Sequence, residues 1–181
     1  MTPRQHVVLA PDDGSLGPLL RLADDRLAPG TGYGRHEHRA VDVVAVVLAG
    51  SLVHRWGRDA GLAAGDLAVL RAGSGLEHDE VAGPDGARVL QVYLRAGDPD
   101  AAPSHAVVRG ATGWVDLGRP DAGLWVARPA AAQTVELPPG LLVTAGAEVT
   151  AQPQDGGPYR AAGGALLVWQ LATARPDWAA F

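Results

Sequence analysis

The sequence predicts an all-β protein, organised as a sandwich or a small barrel. Its 181 residues include 24 glycines and 14 prolines, and without a collagen-like period this composition indicates many turns. Short apolar runs alternate with clusters of turn-forming residues at a spacing of roughly 8–12 residues, which is typical of all-β domains. No segment shows a helical pattern longer than about two turns.

The first half of the chain contains the most clearly predicted strands. Residues 41–48 are β-branched and almost wholly apolar, which predicts a strand buried on both faces. Residues 16–27 fit either a strand or a single helical turn, whereas residues 49–51, 57–61 and 81–87 are predicted turns or loops. The other strands of this half are predicted at residues 6–10, 52–56, 67–70 and 88–94.

The second half continues the β pattern. Residues 98–103 have the composition of a linker, so we expect a domain over residues 1–103 and a smaller β unit over residues 104–181. A polar, Gly- and Pro-rich loop is predicted at residues 152–159. Strands are predicted at residues 123–127, 133–137, 141–145 and 165–172.

Charge and composition exclude several function classes. The net charge is −5 and no basic run is present, so nucleic acid is not an expected partner. The chain has no cysteine and all 15 basic residues are arginine, which excludes thiol catalysis, cysteine-based zinc sites and Schiff-base chemistry. The N-terminus does not resemble a signal peptide, and the longest apolar run has seven residues, so we expect a cytoplasmic protein without a membrane span.

Two pairs of ligand-type residues stand out. His36 and His38 are two residues apart, and so are His78 and Glu80. Since side chains alternate along a strand, each pair would project from one face if its segment is extended. Two such strands meeting inside a barrel would surround a metal ion with three imidazoles and one carboxylate, although a single His-x-His pair is also common on exposed strands.

This donor set suits a catalytic metal. It contains no thiolate, and in an octahedral ion it leaves two positions for water, dioxygen or substrate, whereas structural sites are usually closed. Fe(II) is the first expectation because mixed histidine and carboxylate sites with open positions suit non-haem iron. The ligand types do not exclude Mn, Ni, Co, Cu or Zn.

Several other residues are candidates near the predicted site. Tyr33 precedes the first ligand strand and could line the entrance of a pocket, as could Trp56. His54 shares a strand face with Trp56, and a surface pair is the favoured interpretation of those two. Glu37 lies between two ligands, so alternation points it outward. His105 has no partner nearby in sequence and is predicted to be solvated.

Two motifs carry a resemblance to a known family. The first is Gly30, five residues, and then His36-Glu37-His38. The second is Gly65-Asp66 followed, at residues 72–80, by Ala-Gly-Ser-Gly-Leu-Glu-His-Asp-Glu. With these motifs, residues 30–80 resemble a cupin and, more narrowly, the pirin and quercetinase-like bicupin family.

The resemblance implies a fold and a ligand set. The implied fold is the cupin double-stranded β-helix, a jelly-roll barrel, followed by a smaller and incomplete second cupin-like β unit. Asp42 stands where the family has glutamate, at a supporting position rather than a ligand, and Gln91 matches a glutamine on the family's next strand. The family's metal ligands fall here on His36, His38, His78 and Glu80.

The resemblance also implies three functions. The first is a metal-dependent dioxygenase that acts with dioxygen on a flavonol-like or other aromatic, enolisable small molecule, with Glu80 as general base. The second is a pirin-type regulatory or binding protein that holds a metal without turnover. The third is a biosynthetic cupin that catalyses cyclisation or isomerisation. Fold and ligands do not choose among them, and the oligomeric state stays open.

Overall fold

The computed structural model describes residues 3–11 and 13–172, and the regular structure among them is entirely β-strand. This confirms the predicted all-β class. Within the described part of the chain, no helix is long and apolar enough to cross a membrane. The strands are β1 (Arg4–Leu9), β2 (Leu19–Leu27), β3 (His36–His38), β4 (Val41–Arg55), β5 (Ala60–Ala63), β6 (Leu67–Arg71), β7 (Leu76–Arg95), β8 (Ser104–Val108), β9 (Gly113–Val115), β10 (Ala122–Ala127), β11 (Thr134–Leu137), β12 (Gly140–Ala145), β13 (Val149–Gln154), β14 (Gly157–Arg160) and β15 (Ala165–Leu171).

The chain forms two compact units. The first comprises Met1–Ala10 and Leu19–Gly110, and the second comprises Pro11–Pro18 and Ala111–Phe181. The first unit ends after Gly110 rather than after residue 103, because β8 pairs antiparallel with β6 and so belongs to the first sheet. The segment predicted as a linker, residues 98–103, therefore joins two strands of one sheet.

The first unit is an antiparallel sheet with the order β1-β2-β7-β4-β6-β8, in which β3 also pairs with β7 and β5 with β4. Its centre is the pairing of β4 with β7, which runs from Val41 opposite Arg95 to Arg55 opposite Asp79. Residues 42–47 of β4 are all buried, which confirms the predicted strand covered on both faces. The uncertain segment, residues 16–27, provides β2.

The turn predicted at residues 49–51 and the loop predicted at residues 81–87 are wrong, because neither segment ends a strand. Both segments lie inside long strands, where the register between β4 and β7 shifts on either side of Gly50. Gly50 has a φ of 70°, and a Cβ there would lie 2.1 Å from the carbonyl oxygen of Gly86. The turn-forming residues therefore produce an irregularity in the ladder rather than a break, because the surrounding backbone stays paired on both sides.

The second unit holds the sheet β13-β12-β15-β10-β9 and the separate pair β11-β14. The predicted strands at 123–127, 133–137, 141–145 and 165–172 correspond to β10, β11, β12 and β15 within two residues at either end. The predicted loop at 152–159 is wrong, because β13 and β14 occupy most of it. Both strands contain proline and each pairs with a single neighbour, and such edge strands tolerate proline because one row of their backbone groups needs no ladder partner.

Asp66 joins the turn before β6 to the end of β8. Its carboxylate accepts hydrogen bonds from the backbone N–H of Ala63 at 3.0 Å and of Gly110 at 2.9 Å. The guanidinium of Arg109 donates to the same carboxylate at 2.7 Å. A buried carboxylate with several donors is costly to remove, because the donors lose their partner.

We predict that Asp66→Ala lowers the free energy of unfolding by about 1–3 kcal/mol, because two backbone N–H groups lose their acceptor. Urea unfolding followed by tryptophan fluorescence measures the change. Asp59→Ala is the matched control, since Asp59 is exposed and lies 3.9 Å from Arg55, and it should change stability by less than about 0.5 kcal/mol. Equal effects of the two substitutions would contradict the anchoring role of Asp66.

Candidate metal centre

The predicted ligands come from two paired strands of the first unit. β3 pairs antiparallel with the start of β7, which sets His36 directly opposite His78. Along β7, His78 and Glu80 are buried whereas Glu77 is exposed, as the alternation of a strand requires. On β3, Glu37 is exposed, as predicted, between the two partly buried histidines.

Three of the predicted ligands converge. His36, His38 and His78 each offer a donor atom, and these atoms lie within 4.8 Å of one another. The Nε2 atoms of His36 and His38 are 3.0 Å apart. The Nδ1 atom of His36 lies 2.7 Å from the carbonyl oxygen of Gly34. When Nδ1 carries the proton and donates it to this oxygen, the lone pair that can bind a metal is on Nε2.

The donor set fits a metal ion. His78 is fully buried, and both of its ring nitrogens are without a hydrogen-bond partner, which is an unusual condition for buried polar atoms. Burial, together with the neighbouring histidines, lowers the pKa of His78 to about 3. Burial and His36 lower the pKa of His38 to about 4. Both rings are therefore neutral at physiological pH, and neutral imidazole is the form that binds metals.

Glu80 adjoins this group through His78. Its carboxylate forms a second group with His54 and His78, whose donor atoms also lie within 4.8 Å of one another. Oε2 of Glu80 accepts a hydrogen bond of 2.6 Å from Nε2 of Gln91, and Oε1 lies 3.3 Å from Nε2 of His54. Burial raises the pKa of Glu80 to about 8, although the Gln91 hydrogen bond opposes the shift. The structure thus places the four predicted ligands in two overlapping groups that share His78.

The loop before β3 holds the backbone of Glu80 in place. The N–H of Tyr33 donates to the carbonyl oxygen of Glu80 at 3.2 Å, and the N–H of Ala82 donates to that of Thr31 at 2.8 Å. Gly32 forms a bridge with Val81 between these two contacts. A Cβ on Gly32 would lie 2.2 Å from the carbonyl oxygen of Glu80, so this close approach requires glycine.

Tyr33 and Trp56, the two predicted pocket residues, take different positions. The ring of Tyr33 lies 6.1 Å from that of His36, and its hydroxyl donates to the buried Asp25 at 2.7 Å. Trp56 is partly buried against an apolar cluster that Tyr93 also contacts. The ring of Tyr93 lies 5.6 Å from that of His38, so the same cluster adjoins the three-histidine group.

Sequence reasoning misplaced two histidines. His54 was predicted to lie on the surface but is only 2% exposed, because β4 sets it opposite Glu80 in the ladder. His105 was predicted to be solvated, yet it is partly buried and its Nε2 lies 3.1 Å from Nδ1 of His54. The signal that was available for His54 is its place two residues after Leu52, on the face that alternation buries. Tyr93 was also missed, and its signal is the position two residues after Gln91.

We predict that His78→Ala lowers the affinity for Ni(II) by more than about 100-fold. Removing a residue that only hydrogen-bonds to a metal ligand costs roughly 10–100-fold, and the loss of a ligand should exceed this. Isothermal titration calorimetry on metal-free protein measures it. His6→Ala is the control, because His6 is exposed on β1 and should leave the affinity unchanged. Retained affinity in His78→Ala would exclude the three-histidine group as the binding site.

We also predict that Gly32→Ala weakens Ni(II) binding by about 10-fold or more, since the added Cβ displaces the backbone of Glu80 and the adjoining His78 strand. Gly61→Ala is the matched control, because a Cβ at Gly61 meets no atom within 4 Å. Circular dichroism checks that both variants fold. If Gly32→Ala folds and binds Ni(II) as the wild type does, the loop does not position the site.

Comparisons by sequence agree with the two motifs. The Pirin family model matches residues 10–94. A pirin-like protein of Caulobacter vibrioides is 32% identical over 97 residues, which cover 52% of this chain and 42% of that protein. A quercetin 2,3-dioxygenase of Escherichia coli K12 is 31% identical over 77 residues, covering 41% of this chain and 33% of that enzyme. The matched stretches thus span less than half of each of these curated relatives.

Comparisons by structure extend over most of the chain. The bacterial pirin YhhW of E. coli in complex with nickel(II) superposes with a TM-score of 0.69 at 19% identity, covering 94% of this chain and 92% of that one. A quercetin 2,3-dioxygenase of Acinetobacter baumannii gives a TM-score of 0.58 at 17% identity, covering 94% and 82%. The resemblance to the pirin family that the two motifs predicted is therefore confirmed over residues 10–94. Over most of the chain, the solved structures show the same fold.

Proposed function

We propose that this protein is a metal-dependent dioxygenase that acts with dioxygen on a flavonol-like or other aromatic, enolisable small molecule. The observation that carries the proposal is a buried carboxylate, Glu80, with a raised pKa, beside the group formed by His36, His38 and His78. The name quercetin 2,3-dioxygenase, carried by an E. coli protein 31% identical over 77 residues, supports the substrate class.

We assign His36, His38, His78 and Glu80 as the residues that would hold one divalent metal ion. Fe(II) is the first choice because mixed histidine and carboxylate ligands with open positions suit oxygen chemistry. Nickel is the strongest alternative, since the nickel(II) complex of an E. coli pirin shares the fold. Mn, Co, Cu and Zn accept the same donor types. When bound, the ion supplies Lewis-acid character that lowers the pKa of a substrate hydroxyl.

Glu80 would accept the proton of the substrate's enol or phenol. Its pKa of about 8 in the metal-free protein shows how strongly burial favours the proton-bound form. A base whose affinity for protons lies near the working pH is effective in general base catalysis. Gln91 holds Oε2 by a 2.6 Å hydrogen bond, so the proton would be accepted at Oε1, which lies 3.3 Å from Nε2 of His54. The deprotonated substrate is the electron-rich form that dioxygen oxidises.

Aromatic side chains would orient the substrate. Tyr33 lies beside His36, and Tyr93 lies beside His38, so two rings border the three-histidine group. Trp56 extends the apolar cluster that Tyr93 contacts. Flat aromatic substrates gain affinity from such surfaces through offset or edge contacts of about 0.5–1.5 kcal/mol each. We assign substrate contact to Tyr33 and Trp56 on this basis.

Oxygen uptake with quercetin is the direct test. Metal-free protein is reloaded separately with Fe(II), Ni(II), Co(II), Mn(II), Cu(II) and Zn(II), and dioxygen consumption is followed with an oxygen electrode. We expect consumption with at least Fe(II) or Ni(II) that stops when the metal is removed by chelation. Absence of uptake with every metal would contradict the dioxygenase assignment. It would favour a metal-holding regulatory protein or a cupin that catalyses cyclisation or isomerisation.

We predict that Glu80→Gln keeps the fold but lowers the turnover number by about 10²–10⁴-fold, because the amide cannot accept the substrate proton. Steady-state oxygen uptake measures the rate, and elemental analysis measures bound metal in the same sample. Glu37→Gln is the control, because Glu37 is exposed between two ligands and should leave turnover unchanged. Wild-type turnover in a Glu80→Gln sample with full metal content would exclude Glu80 as the base.

A further inference from the structure

A pair of histidines connects Glu80 to the edge strand β8. His54 on β4 stands opposite Glu80, and its Nε2 lies 3.3 Å from Oε1 of that carboxylate. On the other side of the ring, its Nδ1 lies 3.1 Å from Nε2 of His105. The three side chains form a row from the edge strand β8 to the candidate metal centre. Neither His54 nor His105 belongs to the assigned ligand set.

The two ring nitrogens of His54 differ in their hydrogen bonding. Nδ1 is paired with His105, whereas Nε2 is buried and has no formed hydrogen bond. A buried polar atom without a partner is expensive and in most native proteins has a specific explanation. The polar group that Nε2 faces is the carboxylate of Glu80, within ion-pair distance. The geometry thus points to a contact between Nε2 of His54 and Oε1 of Glu80.

We propose that His54 is a positioning residue, which donates its Nε2–H to Glu80, and that His105 fixes the tautomer of His54 that makes this donation possible. The proposal rests on the proposed function only for the catalytic role of Glu80. Together with Gln91, which donates to Oε2, His54 would hold the carboxylate from both oxygens. A carboxylate held in this way keeps its orientation toward the three-histidine group.

The contact between His54 and His105 permits two tautomers, and only one of them fits the proposal. If His105 donates from Nε2, then Nδ1 of His54 is the acceptor and its single N–H lies on Nε2, facing Glu80. If His54 donates from Nδ1, its Nε2 is a bare lone pair that faces the carboxylate. Lone pairs that face each other repel, so the 3.3 Å approach of Oε1 of Glu80 to Nε2 favours the first arrangement.

The tautomer is measurable on metal-free protein without any activity. Two-bond ¹H–¹⁵N correlation spectra of uniformly ¹⁵N-labelled protein distinguish an Nε2–H ring from an Nδ1–H ring, and His54→Gln identifies the His54 signals. We expect the Nε2–H tautomer of His54 in the wild type. We expect His105→Leu to introduce the Nδ1–H tautomer. An Nδ1–H ring at His54 in the wild type would overturn the proposal.

Substitutions test the positioning role. His54→Leu removes the donor, whereas His54→Gln keeps an N–H that reaches the same region. We expect the Ni(II) affinity, measured by calorimetry, to fall about 10-fold or more in His54→Leu and to recover within about 3-fold of wild type in His54→Gln, as for other partners of metal ligands. His6→Leu serves as the control for loss of an exposed histidine. Equal affinities of the Leu and Gln variants, or no loss in either, would overturn the role of the donor.

A double-mutant cycle tests whether His105 acts through His54. If it does, His105→Leu weakens Ni(II) binding in the wild type but has no further effect in the His54→Leu background. Additive losses would show that His105 acts independently and would overturn this part of the proposal.

If His54→Leu does not fold, the wild-type tautomer and the His105→Leu spectrum still decide. If no metal supports oxygen uptake, the tautomer and the affinities remain informative, so failure of the dioxygenase assignment is distinguishable from failure of the positioning role.

Discussion

The pairing of β4 with β7 is the interaction on which the rest of the first unit depends. Towards one end, it joins the aliphatic segment of β4 to the second half of β7, where Val44 faces Val92 and Val46 faces Leu90. Towards the other end, the same ladder sets His54 opposite Glu80. The apolar core and the polar site are therefore successive parts of one hydrogen-bonded ladder, and the burial that stabilises the core also encloses the site.

This enclosure determines the chemistry of the titratable side chains. Burial disfavours the charged form of each group, so it lowers the pKa of His78 and raises that of Glu80, to about 3 and about 8 respectively. Burial also lowers the pKa of His38, so His38 and His78 can bind a metal without first releasing a proton. The carboxylate is the opposite case, because burial raises its pKa although the Gln91 hydrogen bond favours the ionised form, and a bound cation would favour that form further. The proposed role of Glu80 as a base, in addition to its role as a ligand, follows from this difference.

Much of the site was predictable, because it depends on local alternation. The spacing of two residues between His36 and His38, and between His78 and Glu80, correctly placed each pair on one strand face. The role of His54 was not predictable in the same way, since its contact with Glu80 depends on the register of two strands about 25 residues apart in sequence. For the fold, apolar runs revealed the central strands. The polar strands β13 and β14, which pair with β12 and β11 respectively, were missed, because strands with a single neighbour leave no clear pattern in the side chains.

The irregularity at Gly50 explains how one ladder serves two purposes. Leu52 pairs with Ala82, but Gly50 pairs with Ala87, so residues 83–86 of β7 stand opposite a single residue of β4. Shifting the register by an odd number of residues would turn His78 and Glu80 to the opposite face, because side chains alternate with a period of two. The extra residues and the Gly50 contact at this point therefore determine which face of β7 carries His78 and Glu80. In this fold, the turn-forming residues between core and site specify which side chains face the candidate metal centre.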